Sequence, residues 1–200
     1  MLEDLTFKSL GTANYHETLE LMKSHIKKED FSNEIWLLEH PPIFTLGTAA
    51  DKNHILDSKD IPVVQTDRGG EVTYHGPGQL VIYFLIDLKK LDFGPRKLVF
   101  TIQSFIKELL KNISIECNFV EGAPGVYVDR KKIASIGLRI SKGKSYHGIS
   151  LNFDMDLSPF KQINPCGYEG LEVTQIKDLN ESVSKLQLEK MVINLLKNTF

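Results

Sequence analysis

The chain has 200 residues, enough for one substantial hydrophobic core, and its 42% hydrophobic and 25% charged content is typical of a globular domain. A formal net charge of −2 gives no electrostatic reason to expect nucleic acid or an anionic membrane as a partner. Because the longest apolar run, residues 80–86, is too short to cross a bilayer and the first four residues lack a signal peptide's basic start, we expect a cytoplasmic protein.

The first half of the chain predicts one helix among several short strands. Asn14 resembles a helix N-cap with Glu17 as its capping-box partner, and apolar residues then follow helical spacing at positions 15, 19, 22 and 26. Residues 79–87 are nearly continuously apolar, which indicates a strand buried on both faces. The other strands predicted here are residues 5–10, 34–39, 43–46 and 61–65.

The second half predicts strands between two helices. Pro95 suits a helix first turn, and apolar residues at 98, 102, 105, 106, 109 and 110 form a stripe that faces the core. Strands are predicted over residues 113–152, with Cys117 in the first of them and turns at 121–124, 129–130 and 141–143. A last helix is indicated by residues 186–196. This order favours a single α/β (α+β) domain over residues 1–200, built on a mixed β-sheet flanked by helices.

Cys166 lies in a run that predicts a turn, since Pro165 removes a backbone donor and Gly167 and Gly170 relax the backbone. A thiol on such a turn can meet a substrate. From placement alone, a reactive thiol and an incidental one both remain open. With two cysteines, the chain has no disulfide framework, so both are expected to be free.

A glycine-rich segment spans residues 68–79, with four glycines in twelve positions. Such a backbone approaches something closely or adopts positive φ angles. The segment lacks the patterns of phosphate-binding and dinucleotide-binding loops. A substrate-binding loop and a hairpin with a wide turn are both compatible with it.

Two adjacent lysines follow a predicted turn at residues 129–130. If the chain is extended there, Lys131 and Lys132 point to opposite faces, so that one is solvated and the other faces inward, where lysine is rare unless paired or functional. The alternative is that both lie on the turn in water. Downstream, residues 147–152 predict a strand. The spacing of His75, His147 and Cys166 is not that of zinc ligands, so no metal site is expected.

These residue types suit acyl transfer. An ordinary thiol with a pKa of about 8.5 is only a few per cent thiolate at pH 7, and a nearby ammonium stabilises the thiolate. A thioester is a natural substrate because thiol exchange is near thermoneutral, and an amine can then attack the acyl-enzyme.

Taken together, the motifs resemble the lipoyl(octanoyl) transferase family, in order and at the expected spacing from about residue 5 to about residue 176. The matching segments are EIWLLEHPPIF (34–44), RGGEVTYHGPGQ (68–79), APGVY (123–127), KKIASIGLR (131–139), HGISLN (147–152) and DLSPFKQINPCGY (156–168). The resemblance implies the fold of biotin and lipoate protein ligases.

The resemblance also implies a two-step reaction that needs no cofactor. Octanoyl or lipoyl passes from acyl carrier protein to Cys166 as a thioester, then to a lysine of a lipoyl domain, in 2-oxoacid dehydrogenase E2 subunits or the glycine cleavage H protein. Lys132 matches the lysine that activates the thiol and shuttles protons. The residues that match substrate-binding segments are Arg68, Gly69, Gly70, Glu71, Val72, Thr73, Tyr74, His75, Ser135, Ile136, Gly137, Gly148, Ile149 and Ser150.

One departure is Ser150, where family members usually carry a small apolar residue, so the acyl pocket is expected to differ slightly there. Three other functions suit the motifs less well than a transferase. An ATP-dependent lipoate ligase of the same fold needs no thiol, an amidotransferase between carrier domains fits the motifs less well, and a non-catalytic carrier-binding module leaves Cys166 and Lys132 without a purpose.

Overall fold

Two β-sheets and the helices around them make up the fold. It is seen in a computed structural model that describes residue 2 and residues 4–200. The strands are β1 (Thr6–Thr12), β2 (Glu34–Glu39), β3 (Ile43–Leu46), β4 (Val63–Gln65), β5 (Val72–His75), β6 (Gln79–Leu85), β7 (Asn118–Val120), β8 (Ala123–Val128), β9 (Lys131–Ser141) and β10 (Lys144–Asn152). The helices are α1 (Tyr15–His25), α2 (Pro95–Lys111), α3 (Ile176–Leu179) and α4 (Lys185–Thr199).

The larger sheet has the strand order β1-β2-β6-β10-β9-β8-β7, and the smaller one has the order β4-β3-β5. In the larger sheet β1 and β2 are parallel, whereas the other neighbouring strands are antiparallel. In the smaller sheet β3 runs parallel to β4 and antiparallel to β5. The predicted fold class, a mixed sheet flanked by helices, is therefore confirmed.

The core explains why β6 reads as an unbroken apolar run. Its residues Ile82 and Phe84 pack with α2 and α4 on one face of the larger sheet. Val81 and Tyr83 pack with α1 on the other face. Both faces of this central strand are thus covered, so alternation between polar and apolar residues is lost.

The predicted helices are present with the expected buried faces, but among the described residues the Glu17 side chain makes no capping-box hydrogen bond to Asn14. The Asn14 side chain accepts hydrogen bonds from the backbone N–H groups of His16 and Glu17, at 3.0 and 3.3 Å, and so caps α1. Pro95 opens α2, and all of the apolar positions predicted to face the core are buried. The last helix, α4, begins with a capping box formed by Ser184 and Gln187.

The prediction of a strand through Cys117 was wrong. Residues 112–114 continue from α2 as turns, with Ser114 at a positive φ of 60°, and β7 begins only at Asn118. Because α2 runs to Lys111, the residues that follow it reverse the direction of the chain before β7 begins. The predicted turn at 121–124 is shorter, because Ala123 and Pro124 already belong to β8. The turn at Asp129 and Arg130 is present, and both residues have positive φ as a two-residue hairpin turn requires.

Gly148 provides a test of how tightly β6 and β10 pack. A Cβ atom at this position would lie 2.0 Å from the backbone oxygen of Ile82 and 2.9 Å from the Phe84 ring. We expect Gly148→Ala to lower the free energy of unfolding by about 2–3 kcal/mol, because a backbone atom of the neighbouring strand must move. Urea denaturation measures this. Gly94→Ala, where a Cβ would meet nothing within 4 Å, is the control and should cost less than about 1 kcal/mol.

Candidate active site

Cys166 and Lys132 meet although they are 34 residues apart in sequence. The Lys132 ammonium donates a hydrogen bond of 2.8 Å to the Cys166 Sγ and one of 3.3 Å to the backbone oxygen of Pro124. The lysine is only 1% exposed, so this is a buried cation whose principal side-chain partner is the thiol. A buried lysine is rare without a partner, and here the partner is a thiol.

The turn that carries Cys166 is held in an unusual backbone conformation. Cys166 has φ 57° and ψ 23° inside a 3₁₀ turn over Pro165–Gly167. A left-handed conformation costs a residue with a Cβ roughly 1–2 kcal/mol. The turn is anchored from outside by the backbone N–H of Asn164, which donates to the His54 oxygen at 2.8 Å. Strained residues of this kind cluster at functional sites.

The chain that leaves the cysteine turn is bonded directly to the lysine strand. The backbone N–H of Lys132 donates to the oxygen of Glu172 at 2.9 Å, and the N–H of Thr174 donates to the oxygen of Lys132 at 3.0 Å. This short parallel bridge holds the chain that follows the cysteine turn against Lys132. The contact between the two side chains is therefore fixed by backbone hydrogen bonds.

A β-bulge in β9 determines which face of the strand carries the Lys132 side chain. Tyr127 pairs with Lys132, whereas the preceding residue Val126 pairs with Ala134, so Ile133 is an extra residue in the strand. Without the bulge, Lys132 would share a face with Ala134, which packs in the core beneath α2 and α4. The extra residue instead places Lys132 on the same face as Ser135, toward the cysteine turn.

The two adjacent lysines have different environments. The Lys131 side chain is 46% exposed, and its ammonium lies 3.4 Å from the Glu172 carboxylate at the surface. Lys132 faces inward. Of the two arrangements that the sequence left open, the structure has the lysines on opposite faces of an extended strand.

The electrostatics of Lys132 keep it protonated. Burial by itself lowers the pKa of its amine, but the charge of Cys166 and the hydrogen bond to it act the other way, and the pKa is raised overall. Room for the ammonium is provided by Gly125, which has a φ of 149° and where a Cβ would lie 3.0 Å from the lysine Cε and 3.3 Å from its Nζ. Such a lysine can stabilise a thiolate and can give up a proton to a departing group.

Cys166 opens into a cleft of about 700 Å³. Of the predicted substrate-binding residues, the cleft is lined by Arg68, Gly69, Gly70, Glu71, Val72, Thr73, His75, Ser135, Ile136, Gly137, Gly148, Ile149 and Ser150. Tyr74 is the one predicted substrate-binding residue that does not line the cleft. It lies between Thr73 and His75 on β5, and its ring packs against Phe44 and Phe160 in the cluster under the smaller sheet.

Arg68 holds the glycine-rich loop together. Its guanidinium donates to the backbone oxygens of Thr45, Gly69 and Glu71 at 2.6–3.0 Å and to the Thr45 hydroxyl at 2.9 Å. Burial lowers the pKa of this guanidinium. Because its donors are used within the protein, Arg68 shapes the cleft wall more than it offers hydrogen bonds to a ligand.

Buried histidines beside the cleft are neutral. Burial lowers the pKa of His75 to about 3 and that of His40 to about 4. The His40 Nδ1 lies 2.7 Å from a backbone oxygen and must donate to it, so its Nε2 accepts from the Tyr83 hydroxyl at 2.8 Å. His147 donates through Nε2 to Asp67 at 2.8 Å. Burial lowers the pKa of His147 even though Asp67 raises it.

Several cleft residues escaped the sequence analysis. Tyr15 and Tyr83 line the cleft but lie in runs that read as core, and Pro95 and Val99 belong to the first turns of α2. The only available signal was the polar hydroxyl of Tyr83 within an otherwise apolar strand.

Two further features concern only the described part of the chain. Within residue 2 and residues 4–200, no three His, Cys, Asp or Glu side chains are grouped as metal ligands would be. In the same residues, none of the helices combines the length and apolarity that crossing a membrane requires.

Comparison with solved structures defines the class of the fold. A lipoate-protein ligase A bound with ATP superposes with a TM-score of 0.77 over 100% of this chain and 85% of that one, at 14% identity. A biotin protein ligase of Aquifex aeolicus gives a TM-score of 0.58 over 100% and 69% of the chains, also at 14% identity. At this identity the likeness concerns the fold alone, which is that of biotin and lipoate protein ligases.

Sequence comparison is more specific. Residues 14–198 match the family model of the lipoyl protein ligase A/B catalytic domain. An octanoyltransferase of Marinomonas sp. is 50% identical over 195 residues, 96% of this chain and 91% of the relative. An octanoyltransferase of Pseudomonas putida is 54% identical over 177 residues, 88% of this chain and 82% of the relative. The chain belongs to the lipoyl(octanoyl) transferase family.

The Cys166–Lys132 contact predicts the reactivity of the thiol. Replacing Lys132 by alanine should slow alkylation of Cys166 by iodoacetamide at neutral pH by about tenfold or more, because the thiolate loses its cationic partner. Lys131→Ala is the matched control and should change the rate by less than about twofold, because that lysine lies at the surface. Peptide mass spectrometry measures both rates and uses Cys117 as an internal reference. Equal slowing in both variants would contradict the assignment.

Proposed function

We propose that this chain is an octanoyltransferase that carries octanoyl, or lipoyl, on Cys166 from acyl carrier protein to the lysine of a lipoyl domain. The observation that carries the proposal is the 2.8 Å contact between a buried lysine ammonium and a thiol at the mouth of a cleft. The octanoyltransferase relatives, about half identical over most of the chain, support the same acyl group.

In the first half-reaction, the Cys166 Sγ attacks the carbonyl carbon of the carrier thioester. The bond between that carbon and the carrier sulfur breaks, and the departing thiolate takes a proton from the Lys132 ammonium. This leaves octanoyl on Cys166 and Lys132 as a neutral amine. The ammonium serves first by stabilising the attacking thiolate and then by protonating the leaving group.

In the second half-reaction, the ε-amine of the acceptor lysine attacks the acyl-enzyme. An acceptor lysine arrives as an ammonium near neutral pH, so it must first lose a proton. The neutral Lys132 amine is placed to take that proton. The carbon–nitrogen bond forms, the carbon–Sγ bond breaks, and Cys166 leaves as a thiolate beside a restored Lys132 ammonium. The second surplus proton of the attacking nitrogen is released and ends in water.

The cleft suits an acyl chain. Its apolar lining includes Val72, Val81, Val99, Ile136 and Ile149, and burying each methylene of the chain contributes about 0.8 kcal/mol. Several methylenes together contribute enough to hold the substrate while its carbonyl reaches the thiol. Ser150 and the partnerless buried hydroxyl of Thr73 bring polarity into the same cleft.

We further propose that residues 1–200 act as one catalytic domain in the cytoplasm, without a cofactor. The donor is octanoyl-acyl carrier protein. The acceptors are lipoyl domains of 2-oxoacid dehydrogenase E2 subunits and the glycine cleavage H protein. Support for a lipoyl-domain acceptor comes from the shared family and fold of lipoate protein ligases.

The covalent intermediate can be detected directly. Incubation with octanoyl-acyl carrier protein should add the mass of one octanoyl group to the protein, on the Cys166 peptide, in a bond that hydroxylamine cleaves. Cys166→Ala should acquire no octanoyl and should lose transfer. An adduct on Cys117, or turnover by the Cys166→Ala variant, would contradict the mechanism.

The energy source separates this function from that of a ligase. A thioester donor is already activated, so transfer from octanoyl-acyl carrier protein to a lipoyl domain should proceed at the same rate with or without ATP and magnesium. The measurement is octanoylation of the lipoyl domain, followed by mass. If free octanoate with ATP and magnesium is used as efficiently as the carrier-bound donor, the chain is a ligase instead.

A further inference from the structure

Glu71 is the only carboxylate among the described residues that line the cleft. The other charged side chains there are the cations of Arg68 and Arg139, while His75 is neutral. A carboxylate in this cleft gains nothing from contact with an acyl chain or a thioester carbonyl, because the first is apolar and the second is a hydrogen-bond acceptor. The substrate group that a carboxylate binds favourably is a cation.

The Glu71 carboxylate is fixed at one oxygen and open at the other. Its Oε2 accepts hydrogen bonds of 3.2 Å from the Nδ1 of His54 and 3.2 Å from the backbone N–H of Asp51. Its Oε1 makes no hydrogen bond with the part of the chain that the structure describes. The side chain is 24% exposed, so the open oxygen is within reach of a ligand and of water.

The pair formed by His54 and Glu71 packs against the residue that follows the nucleophile. A Cβ built on Gly167 would lie 3.1 Å from the His54 Cε1, 3.3 Å from the Glu71 Cγ and 3.4 Å from its Cδ. Gly167, the residue after Cys166, therefore lies against this carboxylate. Glu71 and Cys166 line the same cleft, so an acceptor lysine that reaches octanoyl on Cys166 through the cleft enters the space that Glu71 borders.

The second half-reaction leaves one proton without a partner. The acceptor ammonium carries three protons and ends as an amide with one. The Lys132 amine takes the first of the two lost protons, which replaces the proton given to the carrier thiol. The second must leave the nitrogen after it attacks the carbonyl carbon, and a pair that ends as Cys166 thiolate and Lys132 ammonium does not take it up.

We propose that Glu71 binds the ε-ammonium of the acceptor lysine and takes this second proton. The carbon–nitrogen bond forms, the carbon–Sγ bond breaks, Sγ leaves as thiolate, and the surplus proton passes to the open Glu71 oxygen and then to water. His54 and the Asp51 N–H position the carboxylate. This inference rests on the proposed octanoyl transfer, since it assigns a role only in its second half.

The test separates the two half-reactions. Octanoyl-enzyme is prepared from octanoyl-acyl carrier protein for the wild type and for Glu71→Gln, which keeps the side-chain shape and removes the charge. Glu172→Gln is the matched control, because it removes one carboxylate at the surface outside the cleft and keeps the backbone hydrogen bond to Lys132. Each isolated octanoyl-enzyme then receives either a lipoyl domain or hydroxylamine, which is largely uncharged near neutral pH.

We expect Glu71→Gln to form octanoyl-enzyme within about twofold of the wild-type rate but to pass octanoyl to the lipoyl domain about 10- to 100-fold more slowly. Hydroxylamine should cleave both octanoyl-enzymes within about twofold of each other, since it brings no positive charge. Glu71→Asp should recover part of the transfer rate, and Glu172→Gln should behave as the wild type.

The proposal is overturned if transfer to the lipoyl domain is unchanged in Glu71→Gln. It is overturned equally if hydroxylamine cleavage falls as much as transfer, which would mean that the glutamate only supports the cysteine turn, or if Glu172→Gln has the same effect. Failure of the wild type to form octanoyl-enzyme would instead remove the proposed function itself, and this inference with it.

Discussion

The site depends on a buried ammonium that needs an anion within hydrogen-bonding distance. Lys132 is almost fully enclosed, and an unpaired charge at that depth would cost several kcal/mol. The Cys166 Sγ, 2.8 Å from the ammonium, is the atom placed to meet that need. The bulge in β9 and the bridge to residues 172–174 hold the two residues of this contact in place.

Charge and polarity are distributed unevenly along the cleft. Its inner part is built from apolar side chains, neutral histidines and an arginine whose donors are occupied by backbone oxygens. Lys132 contacts the Cys166 thiol, and Glu71 packs against the neighbouring Gly167. In the proposed transfer, the acyl chain binds by burial, and protons move where its carbonyl meets the acceptor.

The sequence predicts those helices and strands whose buried faces follow from the spacing of nearby apolar residues. The stripe of α2 and the apolar run of β6 fix which faces are buried, so both were placed correctly. Cys117 was misplaced because the end of α2 depends on how the chain reverses, which no periodicity records. Tyr74 is predicted as a site residue by its motif alone, and its ring packs in the cluster under the smaller sheet. The meeting of Cys166 and Lys132 was expected from family resemblance only, since it depends on one extra residue in β9.

The neutral histidines give the fold a sensitivity to acid. An unfolded chain protonates His40 and His75 near their ordinary pKa of 6.5, whereas the folded chain resists until about 4 and about 3, because burial opposes the charge. Above pH 6.5 both states are neutral at these residues and nothing is lost. As the pH falls below that value, proton uptake favours the unfolded chain, and the loss grows until the folded pKa values are reached. Mild acidification therefore lowers the free energy of unfolding through two histidines that lie beside the cleft.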